Sequence, residues 1–211
     1  MCVSIAFACS MRVGEILALT WDDVDLSQAS LDNENAHLFV NKTLTRVNAN
    51  LLKVLDNKDV IHIFTPKNDK NKSRIILKTA KTDASNRKIW IPMHLAEDLI
   101  AFKSNSVTAA SVQSDIPNLI FFREYGVPTE QKYIEEKFKE ALKNCNLPKV
   151  TFHSLRHSSI TYKLILLQGD IKSVQGDCGH SRSNTTMNIY AHILDERRKQ
   201  NAIVFNDFFY K

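Results

Sequence analysis

Hydrophobic residues in the first part of the chain recur at the spacing of a helix. The charged Arg12 and Glu15 are followed by apolar positions, which are Ile16, Leu17 and Leu19. This pattern predicts one helix over residues 2–19. The acidic run at 22–25 then ends it.

Short runs of β-branched and aromatic residues follow this helix, a pattern typical of strands. They predict strands at His37–Leu44, Val60–Phe64 and Arg74–Leu77. The next segment, Lys81–Ile91, contains an Asp/Ser/Asn cluster that marks a turn, and its end predicts a further strand. Strands therefore concentrate in the first half of the chain.

The second half of the chain is predicted to be mostly helical. Pro92 can open a helix near 93–104, and a short apolar run, Leu119–Phe122, comes later. Thr129 is a suitable N-cap for a helix with one apolar stripe, formed by Ile134, Phe138, Ala141, Leu142 and Cys145. Further helices are expected at His153–Leu167 with Gly169 as its C′ residue, at 170–177, at 184–192 and at Asp195–Phe209. Because strands come early and helices late, the predicted fold class is α+β, mainly α.

Composition narrows the classes of protein that this chain can belong to. With 211 residues, of which 44% are hydrophobic, the chain can form a real core, so general disorder is excluded. The four cysteines form no CxxC pair, which argues against a disulfide scaffold and fits a reducing compartment such as the cytoplasm. No apolar run approaches the roughly 20 residues of a membrane helix. The formal charge of +5 favours a polyanionic partner.

Several polar residues are candidates for chemistry, namely Arg12, Lys81, His153, Arg156, His180 and Tyr190. Taken alone, each has an ordinary structural explanation, such as an ion pair of Arg12 with Glu15 within one helix. His153, Arg156 and His157 share one helix face. We expect no metal there, because the Glu of a zinc-binding HExxH motif is missing and Arg156 would repel a cation.

Taken together, these residues suit the chemistry of a phosphate group. Arginine offers a planar fork that matches phosphate oxygens, and a tyrosine can attack a phosphate to form a covalent ester. A phenol with a pKa near 10 is only about 0.1% ionised at pH 7, a penalty of roughly 4 kcal/mol. A cluster of cations offsets that penalty and stabilises the charged transition state.

Four motifs carry a resemblance to a known family. They are Met11–Trp21, the hairpin Lys81–Arg87, His153–His157, and Gly179–His180 followed ten residues later by Tyr190. The chain resembles the tyrosine recombinases of the phage integrase family, whose hallmark order of Arg, Lys, His-x-x-Arg, His or Trp, and Tyr is filled throughout. It is most similar to integrases of conjugative transposons of Gram-positive bacteria. The resemblance implies the family's catalytic-domain fold, with a small antiparallel sheet and surrounding helices.

The resemblance also implies a role for each residue of the hallmark set. Tyr190 would attack the scissile phosphodiester and hold the DNA 3′ end as a phosphotyrosine, while His153 assists proton transfer. Lys81 would protonate the leaving 5′ hydroxyl, and Glu15 would orient Arg12. The phosphate itself would be bound by Arg12, Arg156 and His180. The 5′ hydroxyl of another strand then reverses the step, so neither ATP nor a metal is required for site-specific recombination or integration.

A basic stretch surrounds the predicted Lys81 hairpin. In the family this sheet and hairpin lie against double-stranded DNA, so phosphate contacts that are sequence-tolerant and salt-sensitive are expected. The residues expected at that DNA surface are Arg74, Lys78, Arg87 and Lys88.

The C-terminal segment is charged at residues 195–199 and strongly apolar at 203–209. It either folds back on its own core or, by family precedent, docks on a neighbouring protomer in a tetramer on DNA.

The resemblance covers nearly the whole chain, so residues 1–211 are interpreted as one catalytic domain. In the family a helical core-binding domain and a first catalytic-domain helix precede Arg12, and neither is recognised in this sequence. Two alternatives to an active recombinase therefore stay open. One is a truncated, non-catalytic DNA-binding remnant of a mobile-element integrase, and the other is a type IB topoisomerase-like activity, which shares the catalytic set.

Overall fold

The computed structural model describes residues 1–54, 59–64, 72–80, 85–106, 117–123, 127–167, 170–179 and 201–210. The named helices are α1 (Cys2–Cys9), α2 (Val13–Leu17), α3 (Gln28–Asp32), α4 (Ala49–Val54), α5 (Met93–Ser106), α6 (Gln131–Asn144), α7 (Phe152–Leu166) and α8 (Ile171–Cys178). The strands are β1 (Val24–Asp25), β2 (His37–Val40), β3 (Lys42–Asn48), β4 (Val60–Phe64), β5 (Ser73–Thr79) and β6 (Arg87–Trp90). A 3₁₀ turn covers Trp21–Asp23, and residues 201–209 are helical. The predicted class, α+β and mainly α, is confirmed.

The helix predicted over residues 2–19 is in fact two helices, and the prediction of a single helix is wrong at their junction. α1 ends at Ser10, whose φ of 52° lies in the left-handed region. Arg12 returns to an extended conformation and starts α2, where the Glu15 carboxylate accepts the backbone N–H of Arg12 at 3.0 Å. The hydrophobic spacing does not reveal this break, because buried apolar residues continue on both sides of it.

The strands form two antiparallel sheets, in the orders β1–β2–β6 and β3–β5–β4. The strand predicted over His37–Leu44 divides at Asn41, because β2 pairs with β6 in one sheet while β3 pairs with β5 in the other. The strands predicted at Val60–Phe64, at Arg74–Leu77 and before Ile91 are confirmed. The predicted turn residues 81–84 lie outside the described residues.

The predicted helices of the second half are confirmed at α5, α7 and α8 to within a few residues. The start of α6 differs from the prediction, since its N-cap is Glu130. Thr129 is instead buried, and its backbone N–H donates to the carbonyl oxygen of Phe121 at 3.2 Å. Gly169 and the helix predicted at 184–192 lie outside the described residues.

The apolar stripe of α6 is narrower than predicted. Phe138 is buried, and Ile134 and Leu142 pack partly against the main core. Ala141 and Cys145 are exposed, so their predicted place on the stripe is wrong. Cys145 follows the last turn of the helix as its C-cap, which puts it beyond the edge of the core.

The main core lies between α1, α2, the two sheets and α5. A smaller cluster joins α7 to α8 and consists of Ile160, Leu164, Val174 and Cys178. Cys178 is fully buried, as expected for a small apolar role, and burial raises the pKa of its thiol. All four cysteines are described and are free thiols. Among the described helices, none has the length and apolar character needed to cross a membrane.

Candidate active site

Arg12 stands at the start of α2, with its guanidinium turned toward solvent. Its Nη1 donates to Oε1 of Glu15 at 2.8 Å, and the two side chains are 42% and 7% exposed. One carboxylate therefore caps the helix through the Arg12 backbone and holds the Arg12 side chain as well. Because Glu15 follows Arg12 by three residues, the carboxylate fixes the direction of the Arg12 side chain while leaving it 42% exposed.

The second partner of Glu15 is Arg87 in β6. Its Nη2 and Nη1 donate to the two carboxylate oxygens of Glu15 at 2.8 Å and 3.3 Å. Burial works against ionisation of Glu15, but the hydrogen bond and charge of Arg87, with those of Arg12, lower its pKa below the usual value. The carboxylate is thus an anion shared by two arginines.

Arg156 lies one turn inside α7 and is only 2% exposed. It donates from Nη1 to the carbonyl oxygen of Ser10 and from Nη2 to that of Cys178, the latter at 2.8 Å. Burial and the charge of Arg12 lower the pKa of Arg156 to about 10, so the group remains a cation at neutral pH. A buried positive charge therefore sits between the junction of α1 with α2 and the end of α8.

Ser10 is a part of this site that the sequence motifs did not indicate. Besides the carbonyl that accepts from Arg156, its hydroxyl shares a buried hydrogen bond of 2.7 Å with the hydroxyl of Ser159. Ser159 follows Arg156 by three residues, on the same face of α7. Ser10 has no distinguishing sequence signal, because a serine rarely adopts a left-handed conformation at a helix end.

His153 lies on the first turn of α7, where Thr151 accepts the N–H of Ser154 and caps the helix. Its ring meets that of His157 edge to face at 4.6 Å. Partial burial and the positive charges of His157, Arg156 and Arg12 lower the pKa of His153. The lowered pKa favours the neutral imidazole, which is the form that can accept a proton.

The last two carbonyl groups of α8 are each bound by an arginine. Nε of Arg87 donates to Asp177 at 2.7 Å, and Arg156 donates to Cys178. These cations complement the negative end of the helix dipole. Gly179 then takes a left-handed conformation with φ of 61°, which ends the helix just before His180.

The structure describes four of the predicted site residues and groups them together. Arg12, Glu15, His153 and Arg156 form the cluster described above, whereas Lys81, His180 and Tyr190 lie outside the described residues. Within the described residues, no group of three or more His, Cys, Asp and Glu side chains is arranged to hold a metal ion.

The residues predicted to contact DNA differ in their exposure. Arg74 and Lys78 lie on one face of β5 and are partly exposed, and Lys88 is exposed over the ring of Trp90 at 5.1 Å. Arg87 does not fit the prediction, because its side chain is 5% exposed and is held by Glu15. In β6 the alternation places Arg87 in phase with the buried Ile89, a signal that the sequence contained.

Comparison with known proteins identifies relatives along almost the entire chain. The model of the phage integrase family matches residues 1–197. A tyrosine recombinase XerC-like protein of Caldanaerobacter subterraneus subsp. tengcongensis is 26% identical over 97% of this chain and 48% of its own length. The integrase of Staphylococcus phage L54a is 26% identical over 94% and 49%. The ICEBs1 integrase of Bacillus subtilis is 23% identical over 97% and 47%.

Solved structures share the fold. The Tn1549 transposon integrase, in complex with transposon right end DNA, superimposes with a TM-score of 0.69 at 22% identity, covering 96% of this chain and 57% of that one. XerA recombinase gives a TM-score of 0.58 at 22% identity, covering 94% and 56%. The predicted resemblance to tyrosine recombinases is confirmed. The chain spans about half the length of the curated relatives it matches.

Proposed function

The chain belongs to the phage integrase family, and we propose that it cuts and rejoins DNA strands through a covalent bond between a DNA 3′ phosphate and Tyr190. The observation that carries this proposal is the meeting of three residues of the hallmark set. Arg12 at the start of α2 and Arg156 in α7 lie close enough to His153 for their charges, after burial and the charge of His157, to lower the pKa of its imidazole. A fixed cluster of cations beside a neutral base suits attack on a phosphodiester.

In the proposed reaction the phenolic oxygen of Tyr190 attacks the phosphorus of the scissile phosphodiester, and the bond from phosphorus to the 5′ oxygen breaks. The phenol proton passes to the imidazole of His153, and Lys81 gives a proton to the leaving 5′ oxygen. The phosphotyrosine conserves the energy of the phosphodiester. Attack by the 5′ hydroxyl of another strand then restores a DNA backbone and frees Tyr190, so the proposal requires no ATP, metal or other cofactor.

Phosphate binding in this proposal is divided between exposed and buried cations. Arg12 presents its guanidinium to the non-bridging oxygens while Glu15 fixes its direction. The direct phosphate contact that the resemblance implies for Arg156 does not fit its buried position, because its guanidinium donates to the carbonyl oxygens of Ser10 and Cys178, so we assign to it a contribution of positive charge. His180 follows the turn at Gly179 that ends α8. This division explains why one arginine is half-exposed while the other is enclosed.

Double-stranded DNA is the proposed partner. The Tn1549 transposon integrase was solved with transposon right end DNA, and the basic residues of this chain support the same kind of partner. Arg74, Lys78 and Lys88 remain accessible for phosphate contacts, with Trp90 exposed beside Lys88. Arg87 is left out of this surface because it is buried.

The C-terminal segment supports a proposal about assembly. Residues 201–209 form a helix with large apolar side chains exposed, namely Ile203, Val204, Phe205, Phe208 and Phe209. Exposed apolar area of this kind favours a protein partner, so we assign it to docking on a neighbouring protomer in a tetramer on DNA. In this proposal residues 1–211 form the catalytic domain. The four free thiols favour a reducing compartment, so we assign the protein to the cytoplasm.

The test of the proposed function is covalent capture of DNA. The full chain is incubated with a pool of nicked duplexes that carry a randomised segment, so that the target sequence need not be known beforehand. Protein–DNA adducts are recovered after denaturation, sequenced at their DNA end and mapped by mass spectrometry. We expect a 3′ phosphotyrosine at Tyr190 and no adduct with Tyr190→Phe.

The matched control is Tyr162→Phe, because Tyr162 is exposed on α7 and contacts the ring of Phe7. It should form adducts at the rate of the unchanged chain. An adduct formed by Tyr190→Phe would overturn the nucleophile, and DNA binding without any adduct would favour a non-catalytic remnant. Relaxation of supercoiled DNA without strand exchange would favour the topoisomerase-like alternative.

A further inference from the structure

Arg87 in β6 contacts two elements that adjoin predicted site residues, which are α2 and the end of α8. It binds Glu15, the partner of Arg12, and it donates to the carbonyl oxygens of Asp177 and Ser85. We propose that Arg87 is a positioning residue for DNA cleavage, which holds the Arg12–Glu15 pair in register with the end of α8. This inference rests on the proposed function and concerns a residue that the sequence assigned to DNA contact.

The link between Arg87 and Glu15 is a bidentate one. Nη2 reaches one carboxylate oxygen at 2.8 Å and Nη1 reaches the other at 3.3 Å, with both side chains enclosed at 5% and 7% exposure. Two parallel hydrogen bonds fix the plane of the carboxylate as well as its position. The direction of Arg12, which donates to the same carboxylate, is therefore set from β6.

The same guanidinium reaches the end of α8. Its Nε donates to the carbonyl oxygen of Asp177 at 2.7 Å, two residues before Gly179 turns the chain toward His180. Nη1 also donates to the carbonyl oxygen of Ser85 at 3.2 Å, and Ser85 follows Lys81 by four residues in the sequence. One guanidinium thus links two elements that are remote in the sequence, α2 and the end of α8, to its own segment at the start of β6.

An arginine is required for this arrangement. Its planar fork offers donors in several fixed directions, whereas a lysine presents a single point charge on a flexible stem. A lysine at position 87 can pair with Glu15 or approach the carbonyl of Asp177, but it lacks the geometry to hold both. The conservative variant is therefore expected to keep a cation near Glu15 and to lose the alignment.

The charge of Glu15 supplies an independent readout of this role. The cationic groups that face it are Arg12 from the start of α2, Arg87 from β6 and, at longer range, Arg156 from α7. Burial is the largest influence on Glu15 and acts to raise its pKa, and Arg87 is the leading influence that lowers it. Removal of Arg87 should therefore raise the pKa of Glu15 and release Arg12 as the carboxyl becomes neutral.

The experiment compares the full chain with Arg87→Gln, Arg87→Lys and the double variant Glu15→Gln/Arg87→Gln. Single-turnover cleavage is measured from pH 5 to 8 on substrates recovered by the adduct screen, together with DNA affinity. The titration of Glu15 is followed by ¹³C NMR of its side-chain carboxyl. Loss of a charge-assisted hydrogen bond predicts a cleavage rate lower by roughly 10- to 100-fold for Arg87→Gln, with DNA affinity changed by less than about threefold.

A pH profile separates positioning from a general loss of structure. Every variant should show the acid limb set by His153. Arg87→Gln should show a further rise in rate as pH passes through the raised pKa of Glu15, and the double variant should show the His153 limb alone. Arg87→Lys should not restore the full rate. If Arg87→Gln fails to fold, Arg87→Lys takes its place in the measurements of cleavage rate and DNA affinity, where its lost alignment should still lower the rate. The matched control is Arg46→Gln, which breaks an exposed pair with Glu130 at 2.6 Å and should leave rate and profile unchanged.

The outcomes distinguish this inference from the proposed function. If the unchanged chain forms no adduct, the proposed function fails, while the NMR titration still reports whether Arg87 governs Glu15. An unchanged Glu15 titration in both Arg87 variants overturns the inference. So does a cleavage rate in those variants equal to that of the unchanged chain.

Discussion

The guanidinium of Arg156 donates to the backbone carbonyl of Cys178 at 2.8 Å, which attaches the end of α8 to the helix that carries His153. A second donation reaches the carbonyl of Ser10, where α1 gives way to α2. The hydrogen bonds of one buried side chain therefore join three parts of the fold, which are the junction of α1 with α2 beside Arg12, the helix that carries His153, and the end of α8.

Replacement of Arg156 by lysine should destabilise the fold. An ammonium group cannot reach both buried carbonyl oxygens with the geometry of a fork, so one acceptor is left without its donor. Leaving a buried acceptor unsatisfied costs about 1–3 kcal/mol. Urea unfolding at pH 7 should show a loss of that size in Arg156→Lys, with an unchanged slope against urea concentration.

The control for this prediction is Arg46→Lys on the exposed part of β3. Arg46 pairs with Glu130 in solvent, where an ion pair contributes about 0–1 kcal/mol. Equal losses in the two variants would show that the buried carbonyl bonds of Arg156 add nothing to stability.

The pH dependence of DNA cleavage should follow the protonation of His153. Its pKa lies below the ordinary 6.5, owing to partial burial and then to the charges of His157, Arg156 and Arg12. A neutral imidazole is the active form, so the rate is retained down to a pH below 6.5 and is lost as the pH falls through the lowered pKa. In His157→Gln one positive neighbour is removed, the pKa of His153 rises, and the acid limb should move to higher pH.

Single-turnover rates from pH 5 to 8 measure this shift. His94→Gln is the matched control, because His94 is exposed on α5, where its side chain faces Glu97 rather than the site. An acid limb that stays in place in His157→Gln would refute the assignment of His153 as the titrating group.

The resemblance to tyrosine recombinases predicts a shared site for Arg12, His153 and Arg156, which the structure groups together, but it does not predict how they are held. Arg12 is distant in the sequence from His153 and Arg156, so no local pattern predicts that they meet, and their grouping is implied by the order of motifs in the family that the chain resembles. The break at Ser10 was missed because it depends on a left-handed serine whose contacts come from a helix distant in the sequence. Arg87 was assigned to the surface because a basic run usually lies there, although strand alternation placed it inward.

DNA binding should become less salt-dependent when the accessible lysines are removed. Each phosphate contact releases counterions and adds about 0.9 to the slope of log K against log salt. Lys78→Gln and Lys88→Gln should therefore each reduce that slope by about 1, uniformly across DNA sequences. Fluorescence anisotropy with a labelled duplex at several salt concentrations measures the slopes. Lys132→Gln, an exposed position on α6, should leave the slope unchanged, and equal slopes in all variants would exclude the proposed surface.

Two glycines in helices should respond to alanine in opposite directions. A Cβ atom at Gly14 would lie 2.8 Å from Oγ1 of Thr43 and 2.9 Å from the carbonyl oxygen of Leu44, so α2 must move away from β3. Such overpacking costs about 1–3 kcal/mol. Because α2 carries Arg12 and Glu15, Gly14→Ala should lower the cleavage rate as well as the free energy of unfolding.

Gly176 is the matched control within α8. A Cβ atom there meets nothing within 4 Å, so the main effect of alanine is to reduce the conformational entropy that the unfolded chain loses on folding. Gly176→Ala should stabilise the fold by roughly 0.5–1 kcal/mol. Thermal and urea unfolding of both variants test the pair. Stabilisation by Gly14→Ala would show that α2 and β3 are not in close contact, and the account of how Arg12 is positioned would then be wrong.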